Sequence, residues 1–279
     1  MRAVMIAMAV VALCYGGVLF GLYLFQTRLI YPGWSRGARA PTMDLAGWQD
    51  VALTAEDGAA GRLLYTPPHP GMPVILFFHG NGDTVAGGAA AAAPFRAAGY
   101  GIVLPEYRGY AGLPGTPSEA GLYRDARAAR RWMRAHGIGA DRTVIIGYSL
   151  GSGVAAESAL EEPPRALALV AAFASVPRVT AQHFPWIPAR WLVTERFDTL
   201  GKVARVRCPL LLVHGEADET IPPDNSRLLA RARPDARLVL LPGLGHEVVW
   251  RPAAQAVIGR WMAVVSPGGS DDAGALGTR

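Results

Sequence analysis

Thr143-Val144-Ile145-Ile146-Gly147-Tyr148-Ser149-Leu150-Gly151 decides the reading of this 279-residue chain. Thr143 to Gly147 form a short, nearly continuous apolar run suited to a strand buried on both faces, and a helix is expected over 150–161. The five residues from Gly147 to Gly151 fit the pattern G-x-S-x-G. At a sharp strand-to-helix turn, side chains in place of these glycines would collide with the neighbouring strand or helix, and the turn lifts the hydroxyl to the carboxyl edge of the sheet. The pattern alone is common by chance. Its place between a buried strand and a helix makes Ser149 a candidate nucleophile rather than a plain glycine turn.

The same alternation extends in both directions. Two amphipathic strands are expected near 49–54 and 60–66, followed by apolar strands at 74–78, 101–105, 167–170, 209–213 and 237–241. Helices are expected near 85–98, 118–136 and 250–264, the second opened by Pro117-Ser118-Glu119. Strands alternating with helices predict a mostly parallel sheet covered on both faces. A longer excursion at about 173–205, rich in proline and carrying Phe184, Trp186, Trp191 and Phe197, is expected to be a small lid. Its aromatics could line an acyl pocket or form the lid's own core. The tail from 266 to 279 lacks an apolar period and is expected to be disordered.

A serine hydroxyl is a poor nucleophile until a base takes its proton. His246, in the loop Pro242-Gly243-Leu244-Gly245-His246-Glu247 after the last strand, is the best candidate base. His69, His79, His136, His183 and His214 are less well placed. Asp218 follows the penultimate strand and is the candidate acid that orients the base, with Glu216, Glu219 and Asp224 as nearby alternatives. Ser149, Asp218 and His246 then occur in the chain order nucleophile, acid, base. His79-Gly80-Asn81-Gly82 ends an upstream strand with small residues that let the backbone approach a substrate. The N–H groups of Asn81 and Leu150 are the candidate oxyanion hole, and His79 is expected to be a structural hydrogen-bonding residue of that loop.

At the amino terminus, residues 3–25 contain no charged side chain. About 23 residues make a helix of roughly 35 Å, enough for a hydrocarbon core of ~30 Å. The apolar run exceeds a signal-peptide core and no clear Ala-x-Ala site follows, so residues 1–25 read as an uncleaved anchor. Residues 26–48 read as a juxtamembrane link and 49–265 as one domain. Arg28, Arg36 and Arg39 argue for a cytoplasmic domain, whereas the very short amino-terminal tail argues for translocation. The extracytoplasmic or periplasmic side is slightly favoured. Gly17 and Gly21 form a GxxxG pair, weak evidence for a homodimer through the anchor.

The net charge of +5 comes almost entirely from arginine, with Lys202 the one lysine. Arg124, Arg127, Arg130, Arg131 and Arg134 recur at helical spacing and read as a solvated helix face, although attraction to anionic lipid is open to a tethered domain. No basic block with interleaved aromatics suggests nucleic acid. Cys14 and Cys208 do not suit a disulfide, and the spacing of Cys and His suggests no metal. No cofactor motif is apparent.

Taken with Gln26-Thr27-Arg28-Leu29-Ile30-Tyr31-Pro32, Glu106-Tyr107-Arg108-Gly109-Tyr110, Gly115-Thr116-Pro117-Ser118-Glu119 and Arg207-Cys208-Pro209, these motifs extend from residue 26 to about 262. The chain resembles α/β-hydrolase-fold serine hydrolases, in the membrane-anchored branch related to prolyl oligopeptidase-like enzymes. The resemblance implies an α/β-hydrolase fold with a mostly parallel sheet, helices on both faces and a small lid insertion, preceded by one transmembrane helix. It implies a Ser149–His246–Asp218 triad cleaving carboxylic esters through an acyl-enzyme. Membrane tethering directs the expectation toward lipid acyl esters or thioesters. A peptidase or amidase is the alternative, and a non-catalytic membrane-bound scaffold a further one. Asp83 departs from the family pattern beside the oxyanion loop and leaves substrate charge preference open. Arg108 is expected to hold its loop through backbone carbonyls and a carboxylate such as Glu119, or else to bind a substrate carboxylate or phosphate.

Overall fold

The computed structural model describes residues 1–35 and 45–265. The long helix α1 (Arg2–Ile30) and the single turn α2 (Pro32–Ser35) come first. Strands β1 (Gln49–Thr54) and β2 (Ala60–Thr66) form a hairpin. The alternating part then runs β3 (Val74–Phe78), α3 (Val85–Ala97), β4 (Gly101–Glu106), α4 (Glu119–Ala135), β5 (Thr143–Tyr148), α5 (Leu150–Glu161) and β6 (Ala166–Val170). Three short helices follow: α6 (Val176–His183), α7 (Ala189–Leu192) and α8 (Thr199–Val203). Strand β7 (Leu210–Gly215), α9 (Asp224–Ala232), β8 (Arg237–Leu241) and α10 (Pro252–Val265) complete the domain.

The eight strands form one sheet in the order β1-β2-β4-β3-β5-β6-β7-β8. Strands β3 to β8 are parallel, and β1 and β2 join antiparallel at one edge. Alternation along β3 explains the two cores. Val74, Leu76 and Phe78 face one side with residues of α4, α5, α8 and α9; Ile75 and Phe77 face the other with residues of α3 and α10. After β3 the chain turns to β4 on one side, and then crosses to β5 on the other. The loops after β3 and β5 therefore diverge at their carboxyl ends and leave a crevice, the position where open α/β sheets bind ligands.

Helix α1 contains no buried residue and is long and apolar enough to cross a membrane. It continues through Ile30, so the first five residues of the expected link are helical. The remainder of that link is described only at 31–35 and 45–48, and the expected disordered tail lies outside the described residues. The excursion at 173–205 contains α6, α7 and α8 rather than an irregular loop. No helix was expected between β7 and β8, yet α9 stands there.

Two expectations for arginines are corrected. Arg108 does not engage Glu119. Its guanidinium binds Asp125 at 2.8 Å and Asp57 at 2.6 Å, both supplied by neighbouring elements, and its own N–H donates to Asp125. Glu119 instead accepts from the Tyr123 hydroxyl and the Arg196 N–H. The α4 arginines are not a plainly solvated face either. Arg127 bridges Glu56 and Glu161, while Arg130 and Arg134 share Glu162, and Arg130 is buried. These contacts tie α4 to the β1–β2 turn and to the end of α5. Their exposed members contribute little individually, on the order of 0–1 kcal/mol.

Candidate active site

Ser149 occupies the turn between β5 and α5 with φ of 50°, a left-handed conformation that L side chains rarely adopt. Close packing around it explains the two glycines. A Cβ on Gly147 would lie 2.5 Å from the Ala155 methyl, and one on Gly151 would lie 2.2 Å from the Phe78 carbonyl oxygen. The hydroxyl is thereby carried to the crevice, where the His246 Nε2 lies 2.9 Å from Oγ. His246 Nδ1 lies 2.8 Å from Asp218 Oδ2. The three residues proposed from chain order thus form one continuous hydrogen-bonded line, drawn from the loops after β5, β7 and β8.

Asp218 is buried and accepts four hydrogen bonds. Oδ1 takes the N–H groups of Thr220 and Ile221 at 2.9 and 2.8 Å; Oδ2 takes His246 and, at 3.2 Å, His214 Nε2. Burial disfavours the carboxylate, but His214, His246 and the Ile221 amide outweigh it and hold the group far below the usual carboxylate range. His214 is fully buried, with Nδ1 facing the Ser226 hydroxyl at 2.7 Å and Nε2 facing the Ile221 carbonyl at 2.8 Å. This arrangement selects the tautomer with the proton on Nε2, which donates to the Ile221 carbonyl and lies beside Asp218 Oδ2. In the sequence His214 is one of the less well placed histidines. The four-residue step to Asp218 was its one visible signal.

The loop after β3 is held in an equally determined way. His79 is fully buried with Nε2 2.8 Å from Glu106 and Nδ1 2.9 Å from the Gly80 carbonyl. Burial works against an imidazolium there, but Glu106 outweighs it and raises the histidine's pKa. Both ring nitrogens face acceptors, so the doubly protonated form fits. Tyr107 donates its hydroxyl to the His79 carbonyl at 2.9 Å. Asn81 is fixed from two sides: its Oδ1 accepts from Tyr110 at 2.5 Å, and its Nδ2 donates to the Ile30 carbonyl at the end of α1. A Cβ on Gly80 would lie 3.5 Å from that of Ser149, so the loop passes directly beside the candidate nucleophile. Leu150 begins α5, and its N–H has no intrahelical acceptor. Tyr148 packs its ring on His246, with centroids 5.4 Å apart, and donates its hydroxyl to the His246 carbonyl.

A cavity of about 800 Å³ opens in front of Ser149 and His246. Its walls are mostly apolar and come from three directions. Gly80, Asn81 and Tyr148 come from β5 and the loop after β3; Phe173, Phe184, Trp186 and Ile187 come from the excursion between β6 and β7; Leu22, Leu29 and Ile30 come from α1. Of the four aromatics singled out in the sequence, Phe184 and Trp186 line the cavity, Phe197 is buried in the domain core, and Trp191 is exposed. Arg108 does not line it. The part taken by α1 had no signal in the sequence, because apolarity required by a membrane looks the same as apolarity required by a pocket.

Asp83 also lines the cavity. Its Oδ1 accepts the Thr84 N–H at 2.8 Å, and its buried Oδ2 has no hydrogen-bond partner among the described residues. Burial raises its pKa, opposed by His79 and the Thr84 amide. A raised folded-state pKa means that ionisation costs folding free energy. The cost is absent below the unfolded-state pKa, grows as pH rises, and is complete above the folded-state pKa. Asp83→Asn keeps an acceptor for Thr84 and removes that cost. It should raise Tm at pH 7, with the gain shrinking toward pH 4, in thermal melts across that range; a gain that grows on acidification refutes this account.

Comparisons with known proteins bear on the fold. A family model described as alpha/beta hydrolase fold matches residues 73–200. An uncharacterised protein of Mycobacterium tuberculosis, Rv2307c, is 35% identical over 243 residues, covering 86% of each chain. The chain belongs to the α/β-hydrolase fold family. This α/β hydrolase is also 31% identical over 171 residues to the lysophosphatidylserine lipase ABHD12 of Rattus norvegicus, covering 54% of this chain and 42% of that one. Among solved structures, the Pyrococcus furiosus esterase Pf2001 matches with a TM-score of 0.64 at 15% identity, covering 81% of this hydrolase and 97% of the esterase. At that identity the likeness speaks for the fold.

Proposed function

We propose that this α/β hydrolase cleaves carboxylic esters of apolar acyl chains through a Ser149–His246–Asp218 triad, while α1 tethers it to a membrane. The observation that carries the reading is the line from Ser149 Oγ through His246 to Asp218, facing a large apolar cavity. In acylation, the Ser149 oxygen bonds to the substrate carbonyl carbon as His246 Nε2 takes its proton. The carbonyl becomes a tetrahedral oxyanion, stabilised by the N–H groups of Asn81 and Leu150. Collapse breaks the bond to the alcohol, which leaves with the proton from His246. Water then gives its proton to the imidazole and attacks the acyl-enzyme, releasing the carboxylic acid and returning the proton to Ser149. Throughout, Asp218 holds the Nδ1–H and stabilises the transient imidazolium. Thioesters fit the same chemistry.

The apolar cavity supports a preference for long chains, because each methylene buried there contributes about 0.8 kcal/mol. With full-length protein in detergent, kcat/KM should rise severalfold with each pair of methylenes from acetyl to octanoyl p-nitrophenyl esters. A flat or falling series removes the acyl-pocket assignment. Peptide-amide cleavage faster than every ester removes the ester assignment itself.

A further inference from the structure

Helix α1 is more than a tether in this fold, because the excursion between β6 and β7 is fastened along its length. The Tyr15 hydroxyl donates to the Trp186 carbonyl at 2.6 Å. Gln26 Oε1 accepts from both the N–H and the hydroxyl of Thr194 at 2.9 Å. Leu22 and Ile30 pack on the small core of Ile187, Ala189 and Val193. The excursion therefore lies against α1 from the level of Gln26 to that of Tyr15.

Helical rise turns this register into a depth. The apolar stretch ends at Phe25, before Gln26, and Tyr15 precedes that end by ten residues. At 1.5 Å per residue Tyr15 sits roughly 10–15 Å inside the hydrocarbon boundary, close to half of a ~30 Å core. Trp186, bonded to it, has to share that depth. The surface of the excursion suits such a place. Phe184 and Trp186 are half-exposed and Trp191 is 77% exposed, an apolar display out of keeping with water. The one long-range bond from Tyr15 also satisfies a backbone carbonyl that lipid could not. Arg178, Arg190 and Arg196 gather around an adjoining surface groove, where they can meet lipid phosphates.

Resting on the membrane-tether reading above, we infer that the aromatic tip of this excursion is immersed in the same leaflet as α1, and that the cavity opens sideways into lipid between Leu22 and Trp186. The substrate class that follows is an acyl lipid already resident in the bilayer, whose chain slides along α1 to Ser149 without crossing water. The cavity is then a branch of the leaflet.

The test uses full-length protein in phosphatidylcholine–phosphatidylglycerol vesicles, with an environment-sensitive NBD label at a single cysteine. Cys14→Ala removes the exposed thiol; Cys208 is buried, its thiol pushed up to about 11, and does not label. Labels are placed by Trp186→Cys in the excursion, Leu13→Cys on the exposed surface of α1, and Arg237→Cys at the far end of the sheet. The inference expects blue-shifted emission at 186 and 13, lost in vesicles containing doxyl-chain phosphatidylcholine and insensitive to aqueous iodide, with the reverse at 237. A label at 186 quenched by iodide and spared by doxyl lipid, while that at 13 reads lipid, overturns the inference and leaves the tether standing. Iodide quenching at both 186 and 13 overturns the tether and the inference with it.

Discussion

Ser149→Ala should lower kcat/KM for a short-chain ester by a factor on the order of 10^6, the loss expected when the nucleophile of a working triad is removed. Neither neighbouring hydroxyl can take its place. Ser152, the next serine along the chain, is fully buried and donates to the Ser149 carbonyl at 2.6 Å, and the adjacent Tyr148 hydroxyl is engaged with the His246 carbonyl. Ser152 can neither reach the cavity nor approach His246. The alanine keeps the turn, since the bonds that define it are made by backbone groups, including Ser149 N–H to the Val170 carbonyl at 3.0 Å. Purified variant and parent are compared by ester turnover and by fluorophosphonate labelling, with a thermal melt to establish that both are folded. Folded variant protein that retains a tenth of the activity, or that still labels, removes Ser149 from the mechanism.

Asp218→Asn tests a finer feature and should cost about 10^4-fold in kcat, the size expected when the triad histidine is held in the wrong tautomer. The structure dictates which way the amide points. Oδ1 faces two N–H donors, from Thr220 and Ile221, so the amide oxygen must remain there. The NH2 group then replaces Oδ2, opposite His246 Nδ1 and His214 Nε2. To accept from it, His246 moves its proton to Nε2, the atom that must be bare to receive the proton of Ser149. His214 loses an acceptor but keeps the Ile221 carbonyl, so the loop remains bonded. A loss of kcat with KM nearly unchanged and the native fold retained is the expected result. A variant within tenfold of the parent contradicts this role for Asp218.

These expectations trace back unevenly to the sequence. The strands of the parallel sheet were legible because burial on both faces demands short, uninterrupted apolar runs, and β3 and β5 carry them. Helix α9 was not. Its buried positions include Asn225 and Ser226, which break the apolar period because they serve as hydrogen-bond partners of Ala174 and His214. Arg108 shows the same limit from the side of charge. The type of partner was foreseeable, but Asp57 stands 51 residues away and Asp125 17, and only the packing of α4 against the β1–β2 turn selects them over Glu119.

Chain order and local pattern alone determined the α/β class and the strained turn carrying Ser149, and pointed to Asp218 and His246 as its candidate partners. These depend on short-range rules: which residues a sharp turn tolerates, and where parallel strands end. Tertiary structure alone decided that His214 supports Asp218, that Asn81 is clamped between Tyr110 and α1, and that the amino-terminal helix forms a wall of the cavity. Such contacts join residues as much as 171 positions apart, as Tyr15 and Trp186 are. A hydrophobic helix states in its sequence only that it avoids water. What it packs against is set by the rest of the fold.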